Sequence, residues 1–445
     1  MEEKDEFFGE NDVQRDPAPT VSRPKKRKWV SVTLAIGLVL VSFFGGFFTR
    51  WYSLDEGIRT LSKIKSSIDD YYYKEVDDDE FYATLFQAVN TEILDDYSYY
   101  MTAEEYNESL QGMKGNKSGI GLVFARDVET GVTSMTVHRV AGNSPAESAG
   151  ICVGDEIVGF GKTQDGIQAS SSFDEFSAFL SGIAENVQFF LKLRSLDGER
   201  TVPVTRSAYV ESYVFYKTGT ASYGFVGENA ETFKETGKPL TALDNDTAYI
   251  RLLQFSGNAK EGFATAMAQF KKDGKTHLVL DLRGNGGGYL DVMQSISAYF
   301  CKNTTDKKPV VAIADFGDSE TLYRADGNVY GEYFSQESKI YALVDGDTAS
   351  ASECLLGAML DYGAMDFQNV CLVGEDGRYK SFGKGIMQET RAVSPFKGDA
   401  LKLTTAEILW PKSKRSIHGR GILPEDGALA LEKEADFDKT TSLRA

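Results

Sequence analysis

Four cysteines and three histidines in 445 residues rule out several chemistries at the outset. Cys152, Cys301, Cys354 and Cys371 stand singly in apolar segments, without the paired spacing that zinc demands, and read as buried small hydrophobes. A Cys354–Cys371 bridge stays open. His138, His277 and His418 lie far apart and none in a setting suggestive of a triad, which weakens a Ser-His-Asp scheme. Basic charge is also short. With 48 Lys and Arg against 66 Asp and Glu, the formal net charge is −18, and nucleic acid is excluded as a partner because phosphate binding needs clustered cations. The glycine run Gly284–Gly288 lacks Gly-x-Gly-x-x-Gly spacing, so no nucleotide is expected there. No cofactor and no metal are implied.

What the chain does have is a 42% hydrophobic, 12% aromatic composition and room for two or three packed domains. Residues 1–28 are polar and aperiodic, acidic and then basic at Arg23-Pro-Lys-Lys-Arg-Lys28, which predicts a disordered cytoplasmic tail. Residues 29–49 carry no charge and are long enough to span a bilayer. A retained anchor is favoured over a cleaved signal peptide, since the run exceeds a usual h-region and no Ala-x-Ala site follows. The basic cluster ahead of it puts the N-terminus in the cytoplasm and the catalytic region outside the cell membrane. Residues 54–113 read as helical, with stripes at Ile58, Leu61, Ile64 and Ile68 and at Phe81, Leu85, Val89 and Ile93. Asp77-Asp-Asp-Glu80 would start the second helix.

The chemistry concentrates between Tyr341 and Gln388. An apolar strand over 340–344 enters a turn of Asp345, Gly346 and Asp347, and a helix with Leu355, Leu356, Met359 and Leu360 at its spacing leaves it. Thr348, Ser350 and Ser352 therefore sit at a helix N-terminus, where unpaired N–H groups stabilise a developing oxyanion. Hydroxyls there also serve as plain helix caps. Downstream, Gly383-Lys384-Gly385 sets one lysine between two glycines at the end of an apolar strand, free to approach another backbone closely. A desolvated lysine loses part of its preference for charge and can act as a general base.

Thr348-Ala-Ser-Ala-Ser-Glu353, Asp361-Tyr-Gly363, Val373-Gly-Glu375, Phe382-Gly-Lys-Gly385, Gln388 and Asp281-Leu-Arg-Gly-Asn-Gly-Gly-Gly288 together resemble the C-terminal processing, or tail-specific, proteases, a family of Ser/Lys peptidases. The resemblance implies Ser350 as nucleophile, Lys384 as base, Gln388 as the residue orienting the lysine, and the N–H groups of Gly287 and Ala351 as the oxyanion hole. It implies supporting roles for Asp281, Arg283, Glu353 and Asp361. The chain departs from the family in extra residues between Gly363 and Lys384, and in Glu425-Asp426 where a single Asp is usual after the proline. Gly119-Ile120-Gly121-Leu122 and Ser144 to Ile157 resemble a PDZ domain, its first loop being the one that binds a terminal carboxylate, with an open strand edge for the extended peptide.

These readings give a multidomain α+β and α/β chain: tail 1–28, transmembrane helix 29–49, helical segment 54–113, β-rich PDZ domain 115–206, α/β peptidase core 207–432 and tail 433–445. The expected function is a membrane-anchored serine endopeptidase that recognises protein or peptide substrates by their free C-termini. The rivals are a catalytically inactive PDZ-tethered scaffold on the same fold and an acyl-ester enzyme with the same dyad.

Overall fold

The computed structural model describes residues 55–126, 131–195, 198–216, 246–302, 308–327, 329, 333–334, 337–374, 377–393 and 398–432. The expected tails 1–28 and 433–445 and the expected span 29–49 lie outside the described residues. Among the described residues no helix is long and apolar enough to cross a membrane.

Helix α1 (Glu56–Tyr71) starts at Asp55, whose carboxylate accepts the Gly57 N–H at 2.7 Å. Helix α2 (Asp78–Ala88) starts at Asp77, which accepts the Glu80 N–H at 3.0 Å and leads three acids into the first turn. That is where a helix dipole favours negative charge. No residue of the two stripes is fully buried. Ile58 and Ile64 are 53% and 50% exposed, and the second helix loosens into a π-turn at Val89–Ile93 that leaves Ile93 outside. Periodicity fixes which residues share a face, whereas burial needs an element packed against that face. The helical reading of 54–113 is also interrupted by strand β1 (Tyr99–Met101). Helix α3 (Ala103–Met113) follows, started by a capping box between Thr102 and Glu105.

The next stretch is a β-rich domain with its own core. Its strands are β2 (Asn116–Gly119), β3 (Leu122–Arg126), β4 (Thr133–Val140), β5 (Glu156–Gly161), β6 (Gln168–Ala169), β7 (Gln188–Ser195), β8 (Gly198–Thr205) and β9 (Ser207–Val210). Helices α4 (Pro145–Ser148) and α5 (Phe173–Ser181) lie between them. The antiparallel order is β3-β4-β5-β7-β8, with β6 on β5. Phe189, Leu191 and Leu193 of β7 point inward at the strand period of two and meet Val137, Ile157 and Phe176. Strand β3 ends the sheet, and α5 packs beside it through Phe124 against Phe173 and Phe176. Strands β2 and β9 pair only with each other, Asn116 opposite Val210 and Gly119 opposite Ser207, so the chain enters and leaves this domain as a two-stranded ribbon.

The remaining residues form the larger core. They comprise β10 (Val214–Tyr216), β11 (Thr247–Leu252), α6 (Ala259–Lys272), β12 (His277–Asp281), α7 (Leu290–Ser297), β13 (Val310–Asp315) and β14 (Glu320–Arg324). After them come β15 (Ile340–Val344), α8 (Ala351–Asp361), β16 (Val370–Gly374), β17 (Ile386–Ala392), β18 (Ala400–Leu409) and β19 (Leu429–Glu432). One sheet runs β10-β11-β12-β15-β16-β19, parallel except for β10. Alternate residues of its strands, among them Ile250, Leu252, Leu280, Leu282, Ala342 and Val344, form one cluster with Phe263 and Met267 of α6, Met293 of α7 and Leu355, Leu356 and Met359 of α8. The opposite alternation carries polar groups, Tyr249, Arg251 and Asp281, all buried. A second sheet, β1-β18-β13-β14 with β17 on β18, brings the early strand β1 against residues three hundred positions later, Tyr99 opposite Lys402. All four cysteines are free and buried, with no bridge between Cys354 and Cys371.

Candidate active site

Ser350 stands between β15 and α8 with φ 57° and ψ −114°, a backbone conformation that costs a non-glycine residue about 1–3 kcal/mol. Neighbouring contacts hold it there. The Ala349 N–H donates to Asn285 O at 2.9 Å, and Gly287 packs so closely that a Cβ on it would lie 2.8 Å from the Ser350 Cβ. The two other hydroxyls of the turn are engaged elsewhere. Thr348 Oγ1 donates to Leu282 O at 2.9 Å and Ser352 Oγ to Asn285 O at 3.0 Å, both buried. Ser350 instead lines a cavity of about 940 Å³, shared with Gly287, Ala351, Lys384, Gln388 and Lys402 and walled by apolar groups such as Leu110, Leu253, Leu290 and Met387.

Lys384 sits in the loop that precedes β17, not at the end of an apolar strand as its sequence setting suggested. The flanking glycines do allow close approach. A Cβ on Gly383 would lie 2.7 Å from Gly421 N, and one on Gly385 would lie 2.8 Å from His418 N, so only glycine lets this loop run against residues 418–421. The Lys384 ammonium lies 4.8 Å from the centre of the Tyr97 ring. Burial, and after it the charge of Lys402, holds the lysine below its usual pKa, with Asp95 pulling the other way. No hydrogen bond joins Lys384 Nζ to Ser350 Oγ among the described residues. Gln388 lines the cavity but gives its Nε2 to the Tyr97 carbonyl, so its contact is with the segment under the lysine and not with the ammonium.

Of the two expected oxyanion donors, Ala351 has an N–H with no acceptor among the described residues, as the first residue of a helix does. The Gly287 N–H does not match that role. It donates to Asn285 Oδ1 at 2.9 Å, because the Asn285 side chain, itself tied to Leu252 O through Nδ2, folds back over the turn. Gly288 differs. The peptide groups on either side of it bond Phe255, which leaves its own N–H without an acceptor among the described residues, on the cavity wall.

Glu353 ties the two halves together. Its Oε1 accepts the Ser381 hydroxyl at 2.5 Å and the Gly383 N–H at 2.8 Å, and its Oε2 accepts the Lys384 N–H at 2.9 Å and the Ser350 N–H at 3.0 Å. Burial raises its pKa, and these bonds offset part of the rise. Asp281 holds Arg283 through two side-chain bonds at 2.9 and 2.7 Å and accepts Tyr249 Oη at 2.6 Å, a buried pair that keeps its carboxyl ionised. Asp361 is not a support of the site. It is the last residue of α8, at the end away from Ser350, and accepts the N–H groups of Lys412 and Ser413. Asn285, Ser381, Tyr97 and Lys402 escaped the sequence reading, and only Asn285, set among glycines, carried a local signal.

The expected carboxylate loop turns from β2 into β3. Ile120 is buried, its carbonyl accepting the Ala146 N–H, and the Gly121 carbonyl accepts the Ala141 N–H. Gly121 has φ 81° and no room, since a Cβ would lie 2.2 Å from that of Ser144. Gly119 and Leu122 flank it at the ends of β2 and β3.

Residues 246–426 match the profile of peptidase family S41. A probable CtpA-like serine protease of Staphylococcus aureus (strain COL) is 27% identical over 411 residues, which cover 90% of this chain and 72% of that one. The corresponding Staphylococcus epidermidis protein is 25% identical over 369 residues, 83% of this chain and 65%, just under two thirds, of the relative. Among solved structures, a candidate S41 protease from Bacteroides fragilis superimposes with a TM-score of 0.51 at 16% identity, covering 82% of this chain and 85% of that one, which speaks to the fold alone. The photosystem II D1 C-terminal processing protease gives 0.42 at 23% identity over the same shares. With a peptidase profile over its larger core and CtpA-like proteases matching along most of its length, the chain is similar to peptidases of family S41, a likeness that supports a serine-type peptidase.

Proposed function

We propose that this protein is a membrane-anchored serine endopeptidase that takes hold of the free C-termini of protein substrates and cleaves them with Ser350 and Lys384. The observation that carries the reading is a serine in strained backbone at a helix N-terminus, sharing one cavity with a half-buried lysine of lowered pKa. Ser350 Oγ attacks the scissile carbonyl, neutral Lys384 accepts the hydroxyl proton and passes it to the departing amine, and water then releases the acyl group. The Ala351 N–H and a glycine N–H of the 286–288 run stabilise the oxyanion. Gly287 serves only if its N–H leaves Asn285, and Gly288 needs no such change.

The β-rich domain acts as a PDZ domain. Edge strand β3 offers unpaired backbone to an extended peptide, helix α5 flanks it, and Gly119, Ile120, Gly121 and Leu122 face the terminal carboxylate. Residues 29–49 anchor the chain, with the N-terminus cytoplasmic and the catalytic region outside. The deciding experiment incubates purified protein with an unfolded substrate bearing a free C-terminus. Ser350→Ala and Lys384→Arg are expected to be inactive while remaining folded, the second because guanidinium stays protonated. Cleavage by either at the wild-type rate would sink the dyad.

A further inference from the structure

The candidate base is not the only lysine in the cavity. Lys402 lies on β18, paired with Thr390 of β17 on one side and with Tyr99 of β1 on the other, and lines the same space as Lys384 and Ser350. The two lysines are held alike. Lys384 Nζ stands 4.8 Å from the ring centre of Tyr97, Lys402 Nζ stands 5.3 Å from that of Tyr99, and the two tyrosines are two residues apart on one segment. Lys402 has no carboxylate partner among the described residues, although the chain carries an excess of acids. A cation without an ion-pair partner beside a candidate base, in a cavity whose lining mixes apolar groups with polar ones, Asp291 and Glu389 among them, has a direct electrostatic consequence for that base.

We propose that Lys402 is a positioning residue of the reaction, whose ammonium repels the protonated form of Lys384 and so keeps the base ready to accept the Ser350 proton near neutral pH. This rests on Lys384 being the base. The groups that face Lys384 decide the sign. From β18 comes Lys402, favouring the neutral form along with burial; from the segment before β1 comes Asp95, opposing it. Asp95 is partly occupied, since it bonds the Tyr97 N–H at 3.0 Å and the Ser98 hydroxyl. From α8 comes Glu353, whose oxygens are taken up by four donors, the Lys384 N–H among them. The Tyr97 ring contributes its negative face and favours the ammonium. Against Asp95 and that ring, Lys402 is the one cation on the side of deprotonation among the described residues that face the base.

The test is the pH profile of kcat/KM for a peptide without charged side chains, in the full-length protein. Lys402→Gln is expected to lose about threefold or more at pH 7, the loss shrinking as the pH rises, so that the midpoint of the alkaline-rising limb moves up by at least about half a pH unit. Lys402→Arg keeps the charge and should restore the wild-type midpoint. Raising the salt concentration should move the wild-type midpoint the same way and the Lys402→Gln midpoint less, a comparison that needs no further substitution. A loss in Lys402→Gln that is the same at every pH, or falls only on KM, overturns the proposal in favour of a substrate contact or a structural role, and an unchanged profile overturns it outright. Lys384→Arg in the same assay keeps the two ideas apart. If that variant still cleaves, the assignment of the base has failed, whatever Lys402 does.

Discussion

Glu353 offers the sharpest perturbation, because Glu353→Gln keeps the shape and removes only the pairing. The carboxylate accepts two donors on each oxygen: the Ser381 hydroxyl and Gly383 N–H on one, the Lys384 and Ser350 N–H groups on the other. An amide offers one oxygen and one NH₂. With the NH₂ toward Lys384 and Ser350, two backbone N–H groups lose their acceptor and face a donor. With the NH₂ turned the other way, the Gly383 N–H is orphaned, and the Ser381 hydroxyl, which already accepts the Ile422 N–H at 2.8 Å, loses the acceptor for its own proton. Either choice leaves about two buried donors unsatisfied, at about 1–3 kcal/mol each, for a total of about 2–6 kcal/mol. At about 2–4 °C per kcal/mol in a domain of this size range, Tm should fall by about 4–24 °C. Both candidate catalytic residues lose a backbone anchor together, and a displacement near 1 Å costs about a hundredfold, so kcat should drop by about that factor at nearly constant KM. Calorimetry and steady-state peptide cleavage measure the two. A Glu353→Gln enzyme with kcat within threefold of wild type and an unchanged Tm would refute the claim that this carboxylate holds the site.

Ser352→Ala and Thr348→Ala should each retain turnover while lowering Tm by a few degrees, because their hydroxyls bond buried carbonyls and not the cavity; loss of cleavage from a stably folded Ser352→Ala would contradict this. Gly287→Ala should abolish cleavage, its Cβ falling 2.8–2.9 Å from Ser350 Cβ, Ala349 O and Ala351 N, and wild-type kinetics would show that this turn yields. Asp426 is held down to about 2, its burial more than offset by hydrogen bonds from Arg420 and Arg415, so the stability it supplies is present above an ordinary carboxyl pKa and is lost as the pH falls from about 4 toward 2. Asp426→Asn should therefore cost at most about 2 kcal/mol in denaturant unfolding at pH 7, with the gap closing toward pH 2; a gap independent of pH would refute the linkage. Amidating a substrate's C-terminus should slow its cleavage by the wild type, and equal rates for amidated and free tails would remove the β-rich domain from substrate choice. Amidation is cleaner than substitution at Gly121, where any Cβ strikes Ser144 and the domain itself would suffer.

The strand, turn and helix around Ser350 were legible because their signals are local: an apolar run, an Asp-Gly-Asp turn and a helical period within about twenty residues. The glycines around Lys384 were legible for the same reason, although the loop they serve precedes a strand instead of ending one. What the sequence hid is what depends on distant pairing. Tyr97 and Lys402 flank the candidate base only because β1 joins β18 across three hundred residues, and no window contains both. The occupied Gly287 N–H was hidden differently, since a glycine run announces close approach but not which N–H a neighbouring asparagine side chain will take. The stripes of α1 and α2 were legible as faces, whereas how far a face is buried depends on what packs against it.

The ribbon of β2 and β9 has a consequence for how this architecture can be varied. Because Asn116 sits opposite Val210, the two points where the peptidase chain is interrupted are neighbours in space, and the whole β-rich domain hangs from them as an insert on a closed loop. Such an insert can be exchanged for another module with adjacent termini, or cut out and replaced by a short turn, without asking the parallel sheet to find new partners. The β-rich domain and the larger core are thus separately replaceable parts of one polypeptide, joined at a single seam.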